Sequence, residues 1–303
     1  MGNGVYAYLC PDGSWGYNNA GLIADGGESL LIDTLFDLKS TGEMLSAMRA
    51  AVDAAGSIDT LVVTHGNGDH FYGNELVKGA EIVATVACAE EMAGAPPQML
   101  AELAAAAPQM GDVGAYFLKC FGAFEFGGIQ PLPPTKTFEG RLDLSVGNKE
   151  VRLIEVGPAH TAGDAIVHIP ADGVIFAGDI LFIGGTPIMW NGPVANWIGA
   201  CDLMLEIDAD IIVPGHGPIT DKKGVEAVKA YWKYMASESR KRFDAGMTET
   251  EAVADIPLGP YASLTDTERI VVNVNALYRE FRDDAEPPNI IELFGSMAEL
   301  GLK

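Results

Sequence analysis

The most constraining stretch of this chain is Thr64-His65-Gly66-Asn67-Gly68-Asp69-His70. It follows Leu61-Val62-Val63, an apolar run that reads as a buried strand. Two glycines and Asn67 then break the pattern, so the polar residues sit on a tight loop at the strand's end. Two imidazoles and a carboxylate within six residues, held at a strand terminus, make a metal-site arrangement.

Other strand ends carry the same residue types. His160 stands in the loop Gly157-Pro158-Ala159-His160-Thr161, Asp179 follows the strand Val174–Phe176, and His216 sits in Pro214-Gly215-His216-Gly217 after Asp210-Ile211-Ile212-Val213. Four of the five histidines thus belong to one set with Asp69 and Asp179. A lone His is more often structural than a ligand, but four His and two Asp on Gly-rich turns are hard to explain that way. His168, inside Ile166-Val167-His168-Ile169, reads as structural. Asp33 ends the strand Leu30-Leu31-Ile32 and either caps a turn or hydrogen-bonds a metal-bound His.

The surrounding pattern is mixed α/β. Short strands are expected at Val5–Leu9, Gly21–Ala24, Ser29–Ile32, Glu81–Val86, Arg141–Val146, Val151–Val156 and Ala165–Ile169. Apolar spacing predicts a helix over 38–55 and another over 195–206. Residues 88–130, rich in Ala, Met and Pro, read as a helical insertion with helices near 98–106 and 111–123. Its Met and Phe side chains, among them Met99, Phe117, Phe121 and Phe124, serve either helix packing or an apolar lid. Trp15 and Tyr17 either pack at a sheet edge or wall a cleft. The loop 182–200 adds Phe182, Trp190 and Trp197. From 221 onward only helices are expected, at about 221–245, 248–254, 264–282 and 289–299.

With these elements in order, the chain resembles the metallo-β-lactamase-fold hydrolase superfamily. The family loop H-x-H-x-D-H appears as His65-Gly66-Asn67-Gly68-Asp69-His70, and its G-H-T-P-G-D-like turn as Ala159-His160-Thr161-Ala162-Gly163-Asp164. Its bridging Asp corresponds to Asp179 in Phe176-Ala177-Gly178-Asp179, and its P-G-H-G turn to Pro214-Gly215-His216-Gly217. The resemblance covers roughly residues 4–221. It implies a four-layer αββα sandwich of two mixed β-sheets over residues 1–221, with the helical insertion within it and a helical C-terminal extension over 222–303.

By the same resemblance, one metal site would use His65, Asn67 and His160, the other Asp69, His70 and His216, with Asp179 bridging and Asp33 behind a ligand. The expected cofactor is Zn²⁺, one or two per chain, with iron or manganese as alternatives. Two metals about 3.5–4 Å apart suit hydrolysis by an activated water. Asp69 would orient that water, and Tyr72 either donates to an oxyanion or packs under the loop. Asn67 departs from the family's middle His. An amide oxygen is a weaker zinc ligand than imidazole, so that site either still fills, or empties to leave one metal, or the chain has lost catalysis.

Bulk properties narrow the substrate. The formal charge is −23, from 42 acidic and 19 basic side chains, which disfavours nucleic acid as a partner. No apolar run reaches the ~18 residues of a membrane span. No signal peptide is visible, and the four scattered cysteines, Cys10, Cys88, Cys120 and Cys201, read as reduced thiols, so a cytoplasmic location is expected. The leading expectation is a metal-dependent hydrolase cleaving an ester, thioester, lactone or amide of a small, partly apolar substrate, with a homodimer left open. A thioesterase would want cations near the site, for which Lys229, Lys233 and Arg240 are available. The rivals are a mononuclear iron oxidoreductase acting on a thiol or persulfide, and a non-catalytic metal-stabilised binding protein with a filled pocket.

Overall fold

The structure is a computed structural model and describes residues 1–284 and 286–302. Two mixed sheets lie face to face with helices on their outer sides. The first has strand order β1 (Val5–Tyr8), β2 (Ala20–Asp25), β3 (Glu28–Ile32), β4 (Thr60–Val62), β5 (Glu81–Thr85) and β6 (Lys136–Phe138). β1 to β3 pair antiparallel, and β3 to β6 pair parallel. The second sheet runs β11 (Ile211–Val213), β10 (Val174–Phe176), β9 (Ala165–Ile169), β8 (Lys149–Glu155), β7 (Arg141–Val146), with only β10 and β11 parallel.

Strand alternation builds the layers. Leu30, Ile32, Val62 and Val83 of the first sheet meet Val151, Leu153, Val167, Val174 and Phe176 of the second in one dry core. Their neighbours Leu31, Leu61 and Ile82 point the other way, into a cluster with Met44, Leu45 and Met48 of α1 (Leu38–Ala51). Ile175 and Ile212 likewise turn outward, toward the cluster holding Trp197 of α5 (Val194–Glu206) and Trp232 of α6 (Lys222–Asp244). The four-layer expectation is met.

Three departures have local causes. The expected helix over 38–55 stops at Ala51, because Val52 is extended, and a short 3₁₀ turn covers Asp53–Gly56. Val86 leaves the strand and opens α2 (Val86–Gly94), capped by the Thr85 side chain accepting from Cys88 N. The helix expected from 264 begins later. Asp266 adopts left-handed φ +54, and α8 (Ile270–Arg282) follows a 3₁₀ turn at Thr267–Arg269. The insertion contains α3 (Pro97–Ala106) and α4 (Gly111–Phe121), and the C-terminal part also holds α7 (Glu249–Asp255) and α9 (Ile290–Gly301).

Candidate metal centre

Each candidate ligand stands where a strand runs out. β4 feeds the loop bearing His65 and Asn67, and a 3₁₀ turn at Gly68–His70 carries Asp69 and His70. The connection from β8 to β9 carries His160, the turn Gly178–Ile180 after β10 carries Asp179, and His216 follows β11. Rigid strands thereby aim short loops at one point.

Asp179 is the hub. Its Oδ2 lies 3.3 Å from His160 Nε2, 3.4 Å from His216 Nε2 and 3.7 Å from His65 Nε2, and its Oδ1 lies 3.2 Å from His70 Nε2. Asp69 Oδ2 stands 3.3 Å from His216 Nε2 and 3.9 Å from His70 Nε2. All six residues named from the strand ends therefore meet. Trp197 Nε1 donates to the Ile180 carbonyl at 2.9 Å and so holds the Asp179 turn from behind. Gly215 is required by close approach: a Cβ there would fall 1.9 Å from Asp179 Oδ1.

A second layer sets the rings. Asp33, at φ +59, accepts from Thr64 N at 2.7 Å and from the Thr64 hydroxyl at 2.7 Å, and His70 Nδ1 lies 2.9 Å from its Oδ2. The Thr64 hydroxyl donates its O–H to Asp33, so its oxygen accepts from His65 Nδ1 at 3.1 Å. His160 Nδ1 donates to the Ile188 carbonyl at 2.6 Å. With Nδ1 engaged in all three, each Nε2 is left facing the centre. Of the two roles open to Asp33, the geometry shows the hydrogen bond to His70.

The metal-free charge pattern is uneven. Burial works against the protonated ring of His70, but Asp179, Asp69 and Asp33 outweigh it and raise its pKa well above the ordinary value. His216 is pushed up to about 9, against burial, chiefly by Asp179. Asp179 and Asp69 fall below the usual carboxylate range, because His216 and His70 overcome the cost of burial. On the other side burial lowers His65 and His160, leaving neutral lone pairs.

These residues fit a metal. The buried atoms His65 Nε2, His70 Nε2 and Asp179 Oδ1 make no well-aligned hydrogen bond among the described residues, although His70 Nε2 and Asp179 Oδ1 face each other at 3.2 Å, and buried polar groups left so are costly. Two triads bring their ligand atoms within 4.8 Å of one another: His65, His70 and Asp179, and Asp69, His70 and His216. Asn67 Oδ1 lies 2.6 Å from His160 Nε2. A neutral His160 that donates from Nδ1 has no proton left at Nε2. The contact is relieved if the amide turns its NH₂ to the ring, or if both atoms face a common cation.

The centre floors a cleft of about 170 Å³ reached by Asp69, His160, Asp179 and His216 and walled by Trp15, Phe36 and Phe182. Trp15 and Trp190 thus wall the cleft, whereas Tyr17 packs on Phe124 at 5.0 Å and Trp197 on Trp232 at 4.5 Å. From the insertion only Leu100 and Phe121 reach the cleft. Tyr72 takes its packing alternative. Its hydroxyl donates to the Ala95 carbonyl at 3.1 Å and its ring lies under Gly68, so it offers nothing to an oxyanion. Lys229 pairs with Asp202 and Arg240 with Asp244, and neither lines the cleft.

The cation at the cleft is Arg269, which sequence reading missed. It is 1% exposed, lies 4.2 Å from the Trp15 ring centre, and donates to the Thr186 carbonyl at 2.9 Å. Asp266 Oδ2 stands 3.2 Å away. Thr64 and Glu91 were also missed. Glu91 Oε1 accepts from Ala162 N at 2.8 Å and ties the His160 turn to α2. Thr64 was legible from its place beside His65; Arg269 and Glu91 carry no local signal.

A model of the metallo-beta-lactamase superfamily matches residues 13–216. Among curated proteins, the 2,4-dinitroanisole O-demethylase subunit alpha of Nocardioides sp. (strain JS1661) is 28% identical over 141 residues, 45% of this chain and 42% of that protein. The linear primary-alkylsulfatase of Pseudomonas sp. (strain ATCC 19151) is 22% identical over 268 residues, 77% of this chain and 48% of that one. The beta-lactamase-like protein 2 homolog of Caenorhabditis elegans is 22% identical over 224 residues, 74% and 63% of the respective chains. The chain thus spans about half the length of the curated relatives it matches. Among solved structures, a metallo-beta-lactamase from Pontibacter korlensis superposes with a TM-score of 0.57 at 17% identity, covering 77% of this chain and 96% of that one. The sec-alkyl sulfatase PisA1 gives 0.66 at 15% identity, covering 96% and 52%.

Proposed function

The chain belongs to the metallo-beta-lactamase superfamily, and from that premise we propose that it is a metal-dependent hydrolase of a small, partly apolar substrate. The observation that carries this is the convergence of four His and two Asp on one point, with Asp69, His160, Asp179 and His216 at the floor of an open, aromatic-walled cleft and His65 and His70 behind them. His65, Asn67 and His160 would hold one metal and Asp69, His70 and His216 another, with Asp179 between them. Zn²⁺ suits this nitrogen and oxygen donor set, with iron or manganese as alternatives. A metal bound there supplies Lewis acidity and a water of lowered pKa.

The chain's own residues do the rest. Asp69, 14% exposed at the cleft floor, accepts a hydrogen bond from the attacking water and holds it in line. Asp33 and Thr64 lock the His70 and His65 rings, and the aromatic walls keep bulk water from the reacting bond. The bond is an ester, thioester, lactone or amide. The alkylsulfatase and O-demethylase among the relatives extend the panel worth assaying to alkyl sulfates and methyl aryl ethers. An open cleft also speaks against a purely structural metal site, which would be closed by side chains.

The test is turnover of that panel by metal-loaded protein, wild type against Asp69→Ala. The variant should lose about 10²–10⁴-fold in kcat. An undiminished rate refutes the role of Asp69. Iron retention with oxygen uptake refutes hydrolysis.

A further inference from the structure

We propose that α3, α4 and α9 form a binding groove for a linear apolar tail, an alkyl or acyl chain of the substrate, leading away from the metal cleft. The assignment rests on the hydrolase reading for the occupant being a substrate. The groove itself is sunk between the insertion and the last helix, and every residue lining it is apolar. Leu103, Val113 and Phe117 line its body.

Three observations point to a substrate tail. First, the groove and the metal cleft share Leu100, Phe121 and Phe294, so the two adjoin across the packed Phe121–Phe294 ring pair, whose centroids are 6.1 Å apart. Second, the cleft's 170 Å³ is below the roughly 300–1,000 Å³ of sites that enclose a drug-sized ligand. It admits the reacting group, and a longer molecule must continue elsewhere. Third, the groove leaves large apolar side chains in water: Ile291 is 70% exposed, Met99 51% and Ile290 46%. A contiguous exposed apolar patch beside a catalytic cleft is the mark of a binding site. The absence of any charged or hydrogen-bonding side chain from the lining selects a hydrocarbon over a peptide or a polar headgroup.

The chemistry fixes the expected signature. Each methylene moved from water into such a groove tightens binding about threefold to fourfold. Calorimetric titration of the full chain with straight-chain 1-alkanols of increasing length should show that step, because these probes need neither metal nor turnover. Val113→Trp fills the groove and should level the series, and Leu103→Trp does the same from the facing helix should the first variant fold poorly. In a second arm, metal-loaded protein acting on 4-nitrophenyl esters of growing acyl length should show kcat/KM rising with length.

Length-dependent alkanol binding without turnover of any member of the hydrolase panel upholds the groove while the hydrolase reading fails. Turnover with no length dependence in either arm overturns the groove. So does a length series that survives both Trp variants. Sedimentation showing a dimer whose formation abolishes alkanol binding also overturns it, and gives the face to a second copy of the chain.

Discussion

The amide oxygen of Asn67 lies 2.6 Å from His160 Nε2, on the side of the centre where both histidines are neutral, while Asp69 and the proton-holding His70 and His216 occupy the other side. The two halves differ in charge as well as in ligand type. The half with Asn67 offers neutral donors plus a share of Asp179. The other adds a carboxylate of its own.

Metal should therefore load unequally. Titration of metal-free protein against a chromophoric chelator is expected to give one tight equivalent, at Asp69, His70 and His216, and one weaker. Asn67→His supplies a third imidazole and should tighten the weaker equivalent selectively. Two equal equivalents in the wild type, or no change in the variant, would refute the asymmetry.

Asp33→Asn keeps the size of the side chain but cannot accept from Thr64 N, Thr64 Oγ and His70 Nδ1 together. The loss should be about 10–100-fold in metal affinity or activity, as for other groups that orient a ligating ring. Metal content after dialysis checks it. Full retention would mean that the ring is held by packing alone.

Gly215→Ala places a methyl 1.9 Å from Asp179 Oδ1. Overpacking of this kind costs about 1–3 kcal/mol and here also displaces the hub, so both Tm and metal content should fall. Gly199, inside α5 with no atom within 4 Å of its would-be Cβ, is the opposite case. Gly199→Ala should be stabilising by roughly 0.5–1 kcal/mol, read by thermal unfolding.

Metal affinity should rise with pH. In the metal-free protein His70, raised well above its ordinary pKa, and His216, pushed up to about 9, both carry protons at neutral pH that a bound metal must displace. Below these pKa values each displaced proton makes affinity climb about tenfold per pH unit, and the slope falls as pH passes each of them. His65 and His160, lowered by burial, add no such slope near pH 7. Calorimetry in buffers of different ionisation enthalpy counts the protons. A flat affinity between pH 6.5 and 8.5 would contradict the charge assignment.

Much of the centre was legible because its signals are local. An apolar run followed by Gly, Asp and His announces a polar turn at a strand end wherever it occurs, as at Gly178-Asp179 and Gly215-His216. Helices α5, α6 and α7 were readable from the same kind of local pattern. Tyr72 was not. Standing beside the metal loop, it had two equal readings, and only the packing of its ring under Gly68 chose between them. The available cations misled in the same way. Lys229 and Arg240 pair with acidic side chains away from the cleft, while Arg269, in the turn before α8 and beside Asp266, lines it.

The amino-acid sequence by itself determined the strand order's raw material, the candidate ligand types and the Asn67 departure, since each depends on neighbours within a few residues. Tertiary structure decided that Asp179 is the hub, that Thr64 and Asp33 orient the rings, and that α9 joins α3 and α4 beside the cleft. Those relations link residues far apart in the chain. They arise from burying the faces of two sheets and their helices against one another, a choice that no single segment makes alone.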